Sequence, residues 1–257
     1  MTESTSAQIG LSVVVPAYNE ERRIVGSLEQ IVAYLSTLPY GCELIVVDDG
    51  SEEAGRTALE EAVALVRPGV ECQLLHHDVN RGKGAAVRTG CEVARGRYVA
   101  FIDADLATPP ESLADLIEAL AEGADVAVGI RRQADGSDMR DGRDLKRRLA
   151  GRLFAGTMRL LLLPGLSDSQ CPLKAFRAEA AKRIFPLQRI DTWSFDAEVL
   201  YIARRLGMTM AQVPVIWLDI EGSHVKLTRS VGELVNLLRI RWMHRGVSNR
   251  QQATGNR

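Results

Sequence analysis

Two carboxylates one residue apart, Asp103 and Asp105, end an apolar run made of Tyr98, Val99, Ala100, Phe101 and Ile102. In an extended chain, residues two apart point to the same side, so both acids face one way. Paired hard oxygen donors suit Mg2+ or Mn2+, and an ion held by one or two carboxylates usually completes its shell with phosphate oxygens. The chemistry on offer is the handling of a phosphorylated substrate. A plainer reading is a solvated acidic turn after a strand. It would prevail for an isolated D-x-D, but the apolar strand in front weighs toward a metal site.

Other residues could join that chemistry. Asp48 and Asp49 precede Gly50-Ser51, Lys83 sits in Asn80-Arg81-Gly82-Lys83-Gly84, and Asp168 and Asp196 lie further on. Each also has a structural reading. The Asp48–Asp49 pair could belong to a turn with Gly50. Lys83 could be solvated, Asp168 a cap, and Asp196 a first-turn acid facing a helix dipole. The four histidines, His76, His77, His224 and His244, show no metal-ligand spacing. Gly82-Lys83 does not open a phosphate-binding P-loop, because His77 stands where its first glycine belongs and Gly84 where its hydroxyl belongs. A dinucleotide fingerprint fails as well, since its third glycine would be Val87.

Short apolar runs alternate with helical spacing and so could position these residues. Residues 11–15 (LSVVV), 44–47 (LIVV), 73–75, 98–102 and 125–128 read as strands. Residues 20–38, 53–66, 85–94 and 113–120 read as helices between them. That alternation predicts a parallel sheet with helices on both faces, whose ligands sit at the carboxyl ends of the strands. In the second half, residues 131–143 read as a polar loop that could act as a lid, and 146–163 as basic, then strongly apolar. Residues 168–176 read as a mixed segment, 179–185, 195–206 and 230–244 as helices, and 208–218 as a strand. The last helix carries Val231, Leu234, Leu237, Leu238 and Trp242 on one side and Arg229, Arg239, Arg241 and Arg245 among its polar positions.

The 257 residues are 46% hydrophobic, enough for one large domain with a full core. A net charge of −1 argues against a nucleic-acid partner. Cys42, Cys72, Cys91 and Cys171 form no CxxC pair and read as reduced, buried thiols of a cytoplasmic protein. The first ten residues lack an apolar segment, and no apolar run reaches the roughly 18 residues a spanning helix needs. The expectation is a soluble or peripheral protein.

Taken in order, VVVPAYNE, VVDDGS, NRGKGAAVRTG, FIDADL, DSQCPLKAF and WSFDAEVLYIARRLG resemble the family 2 glycosyltransferases of the GT-A fold. The nearest branch in appearance is the dolichyl-phosphate β-glucosyltransferases and their bacterial polyprenyl-phosphate relatives. The likeness spans about residues 10–245, and Glu221-Gly222-Ser223 adds to it. Two positions depart from the pattern. Pro172-Leu173 replaces Gly-Phe after the cysteine, and Ala107 stands where the mannosyl branch has Gln.

The resemblance implies an α/β, Rossmann-like GT-A domain over residues 1–246. Its mostly parallel sheet is flanked by helices, with a C-terminal amphipathic helix and a disordered tail from 247. Residues of about 10–130 would take the nucleotide and 131–246 the acceptor. Pro16, Ala17, Tyr18 and Glu20 would line the nucleotide pocket, Asp49 would contact the base, and Lys83 would lie near base and diphosphate. Asp103 would reach ribose and metal, Asp105 would be the main ligand of Mg2+ or Mn2+, and Arg131 would meet the acceptor phosphate. Asp168 and Asp196 would lie near the transferred sugar. The implied reaction is inverting transfer of a hexose, glucose from UDP-glucose, to a polyprenyl phosphate on the cytoplasmic membrane face. A glycan, glycolipid or soluble acceptor is the alternative, and a non-catalytic binding module a distant third.

Overall fold

The computed structural model describes residues 9–66, 69–132, 162–218 and 229–248. Most of the 131–143 loop, the basic stretch from Lys146 to Arg152, Glu221-Gly222-Ser223, His224 and the tail from 249 lie outside them. Among the described residues, one seven-stranded sheet runs in the order β3-β2-β1-β4-β6-β5-β7. The strands are β1 (Leu11–Ala17), β2 (Cys42–Asp48), β3 (Val70–His76), β4 (Tyr98–Phe101), β5 (Val126–Arg132), β6 (Lys174–Arg177) and β7 (Met210–Ile216). The helices are α1 (Ile24–Leu35), α2 (Glu53–Ala64), α3 (Lys83–Val93), α4 (Leu113–Ala121), α5 (Ala178–Ile184), α6 (Phe195–Arg205) and α7 (Arg229–Met243).

Strands β1 to β4 are parallel, as their continuous apolar runs predict. Strand β6 is antiparallel to both of its neighbours, β4 and β5, while β7 runs parallel to β5. The sequence reading passed over β6, because four residues headed by a lysine carry no alternation to detect. Strand β5 is also longer than expected. Pairing with β7 runs to Arg132 opposite Ile216, so Arg131 belongs to the strand and not to the loop after it. After β1, α1 starts four residues late, since residues 21–23 form a turn that closes on Glu20.

Each face of the sheet has its own core. One gathers Ile24, Leu28 and Ile31 of α1 and Leu113, Leu116 and Leu120 of α4 over Leu11, Val13 and Leu44. The other gathers Ala86 and Val87 of α3, Ile184 of α5 and Phe195 and Val199 of α6 over Val14, Ile45 and Phe101. Phe101, Phe176, Phe185 and Phe195 pack ring against ring, with centroids 5.3–6.2 Å apart. Leu162 and Leu163, the end of the basic-to-apolar stretch, are buried in this second core. The register puts the start of β6 beside the end of β4, Lys174 opposite Phe101, so a residue of an antiparallel strand joins the carboxyl edge of the parallel ones.

Candidate active site

At that edge β4 gives way to the acidic pair. Leu106 N–H donates to Asp103 O (3.1 Å), Ala107 N–H donates to Asp105 Oδ1 (3.0 Å), and Leu106 takes φ 51°. A leucine in the left-handed region is strained, and burial among apolar neighbours holds it there. The tight turn keeps both carboxylates at the strand end. Burial, then the charge of Asp103, raises the Asp105 pKa. Burial also raises that of Glu20, with smaller pushes from Asp105 and Asp103 against the lowering by Arg23. The three acids thus share one electrostatic neighbourhood.

Lys83 answers that charge from the first residue of α3, its Nζ 2.5 Å from Asp103 Oδ1. Burial would lower the lysine pKa, but Asp103 and Asp196 outweigh it and the pKa stands raised. The ammonium also lies 5.0 Å from the ring centroid of Trp193 and 5.9 Å from that of Phe195. Gly82, with φ 104°, makes this approach possible, because a Cβ there would fall against the Asp191 carbonyl.

Asp49 is the acid expected to contact the base. It is buried, and its carboxylate accepts N–H bonds from Arg81 (3.0 Å) and Gly82 (2.7 Å) and pairs with His77 Nδ1 at 2.8 Å. In this arrangement it anchors the loop that delivers Lys83. Asp48 is likewise buried, capping Ser51 N–H at 2.9 Å. Pro16 and Ala17 end β1, and Tyr18 beyond them is exposed. Asn19, at φ 53°, ties this loop to the Asp49–Ser51 loop through Ser51 Oγ and Glu52 N–H.

Arg131 and Asp168, picked out 37 residues apart, form a two-bond fork with Nε to Oδ2 at 2.6 Å and NH2 to Oδ1 at 2.9 Å. Burial works to raise the Asp168 pKa, yet Arg131 outweighs it and holds the carboxyl below the usual range. The guanidinium lies 5.1 Å from the Trp217 ring centroid. Asp196 is buried in the first turn of α6, bonded by the ammonium of Lys174. Lys174, Trp193 and Trp217 went unselected in the sequence. A lone lysine inside an apolar stretch was the available signal for the first, since buried lysines are nearly always paired.

The site is therefore a row of charges of mostly alternating sign: Asp105 and Asp103, Lys83, Asp196, Lys174, Asp168, Arg131. Among the described residues no three of His, Cys, Asp or Glu are gathered closely enough to hold a metal ion. Two aspartates that leave most of the shell to phosphate oxygens fit Mg2+ or Mn2+ bound together with a diphosphate.

Residues 12–185 match the sequence profile of glycosyl transferase family 2. The chain belongs to that family. A dolichyl-phosphate β-glucosyltransferase of Dictyostelium discoideum is 32% identical over 246 residues, 92% of this chain and 75% of that protein. The human dolichyl-phosphate β-glucosyltransferase is 34% identical over 230 residues, 83% and 68% of the two chains. The fold is also that of the glucosyl-3-phosphoglycerate synthase of Mycobacterium tuberculosis. Its complex with Mn2+, UDP-glucose and phosphoglyceric acid superposes with a TM-score of 0.64 at 20% identity, covering 94% of this chain and 82% of that one. Such structural neighbours are GT-A glycosyltransferases, so the GT-A expectation holds.

Proposed function

We propose that this chain transfers glucose from UDP-glucose to a polyprenyl phosphate of the dolichyl type. The reading draws on relatives of that activity that match most of its length, and the charge row at the carboxyl edge carries it. Two phosphorylated substrates must meet there, and the row offers carboxylates for an ion on one and cations for both. Asp103 and Asp105 would hold Mg2+ or Mn2+. When bound, the ion offsets the charge that the leaving diphosphate gains.

The chain's own groups do the rest. Lys83 neutralises the donor phosphates, and the backbone of residues 16–20 with Tyr18 encloses the nucleotide. Arg131, fixed by Asp168, offers its remaining N–H groups to the acceptor phosphate. A phosphate oxygen, already anionic, attacks C1 of the hexose from the face opposite the diphosphate. The new C1–O bond forms as the bond to UDP breaks, and the anomeric centre inverts. No proton need leave the nucleophile, which agrees with the lack of a histidine among these residues. Residues of about 10–130 serve the donor, and those from 131 to 246 the acceptor.

The lipid acceptor requires contact with a membrane, and no described helix is long and apolar enough to cross one. Helix α7 supplies a surface. Leu237, Ile240 and His244 turn inward, while Leu238 and Trp242 are 57% and 65% exposed, flanked by the exposed Arg239, Arg241 and Arg245. The sequence had placed Leu237 and Leu238 on one side; the fold divides them between core and solvent. An exposed apolar stripe edged with arginines suits an anionic bilayer surface, here the cytoplasmic face.

A panel of UDP- and GDP-sugars incubated with a short polyprenyl phosphate and Mn2+ tests the donor. Release of UDP from UDP-glucose that depends on the lipid phosphate is the expected result. Release from a GDP-sugar alone, or none at all, would refute the proposal.

A further inference from the structure

Lys174 is fully buried at the head of β6, directly under the site. Its ammonium bonds to Asp196 Oδ1 and, at 2.5 Å, to Cys171 O, and lies 5.4 Å from the Phe101 ring centroid. Two of its three N–H donors are therefore taken by protein oxygens, and the charge faces an aromatic ring. Its side chain has no exposed surface with which to meet a substrate directly. Its partner is differently situated. Asp196 lies in the first turn of α6, where the helix dipole favours a carboxylate, and close enough to Lys83 to raise the pKa of that lysine. Asp196 thus stands between two ammonium groups, one at the donor side and one beneath.

An apolar residue would fill the space of Lys174 without the cost of burying its charge. Buried ion pairs are often no more stabilising than apolar replacements of the same volume. The pair therefore calls for a reason beyond stability. Without Lys174, Asp196 would add uncompensated negative charge to a pocket meant for a diphosphate, a phosphate and two further aspartates. Its carboxylate would also be free to turn toward Lys83.

We infer that Lys174 is a positioning residue for glycosyl transfer: its ammonium fixes the Asp196 carboxylate at the transferred hexose and cancels its charge there. The inference rests on the reading that places Asp196 beside the sugar. Lys174 acts only through Asp196, so its effect must vanish when the aspartate is gone.

The test compares wild type, Lys174→Met, Asp196→Asn and the double variant with UDP-glucose and polyprenyl phosphate. Turnover is counted per UDP-binding site titrated by calorimetry, so losses through misfolding drop out. Each single change should lower kcat at least about tenfold while the affinity for UDP stays within about twofold. The double variant should match Asp196→Asn within about twofold, because groups acting as a unit are not additive. Lys174→Met leaves a buried carboxylate unpaired and could fail to fold. Lys174→Gln keeps a donor for that carboxylate and stands in for that variant; wild-type turnover in the folded single variant would overturn the inference. A further tenfold loss in the double variant would overturn the inference and leave the role of Asp196 intact. Unchanged turnover in Asp196→Asn would overturn the sugar-side role of Asp196 and the inference with it.

Discussion

Lys83 Nζ lies 2.5 Å from Asp103 Oδ1, both side chains largely enclosed, so the residue proposed to meet the donor diphosphate is paired with the acidic motif. The pair holds a cation and an anion at one point, where the donor diphosphate and its metal ion would each find a partner of opposite charge. Replacing Lys83 by Met should raise the donor Kd by about ten- to a hundredfold, the worth of a charged hydrogen bond. Calorimetric titration with UDP and Mn2+ measures it. An unchanged Kd would mean that Lys83 serves only to neutralise Asp103.

Asp49 holds the Arg81–Gly82 backbone and His77, and through that loop it sets Lys83. Asp49→Ala should weaken UDP binding by about ten- to a hundredfold. The double variant with Lys83→Met should lose less than the two losses combined, since neighbouring groups couple. UDP affinity equal to wild type in Asp49→Ala would contradict both the anchoring and a contact with the base.

The fork between Arg131 and Asp168 makes a prediction about acid. The folded-state pKa of Asp168 is held below its ordinary value of 3.8. A depressed carboxylate contributes stability that is complete above the unfolded pKa and disappears as pH falls through the folded one. Asp168→Asn should therefore be less stable than wild type at neutral pH, with the gap narrowing below about pH 4. Melting temperatures across the acid range check this; curves that stay parallel would contradict it.

The sequence displayed most of the sheet and the acidic edge, because β1, β2 and β4 are continuous apolar runs that stop at polar residues. It also singled out Arg131 and Asp168 but gave no sign that they join, since their contact depends on strand order and not on spacing. Lys174 escaped because its environment is made by β4 and α6, which lie over 70 and 20 residues away in the chain. Leu237 and Leu238 show the same limit at one position. Helical spacing gives a stripe, but which edge of it meets the core depends on how α7 packs on α6.

The outward stripe of α7 should bind anionic liposomes in a salt-sensitive way. Changing Arg239, Arg241 and Arg245 to Glu should abolish co-sedimentation, each arginine near the surface being worth about 1 kcal/mol. Wild type left in the supernatant at low salt would contradict membrane docking.

The most direct measurement of the central claim is the fate of the sugar. Wild-type protein, UDP-glucose labelled in the hexose, polyprenyl phosphate and Mn2+ are incubated together, and the label is partitioned between organic solvent and water. The account predicts label in the organic phase, dependent on the lipid phosphate, abolished by EDTA and lowered by orders of magnitude in a folded Asp105→Asn variant. Label transferred only to a water-soluble acceptor, or lipid product formed equally well with EDTA or by Asp105→Asn, would contradict it.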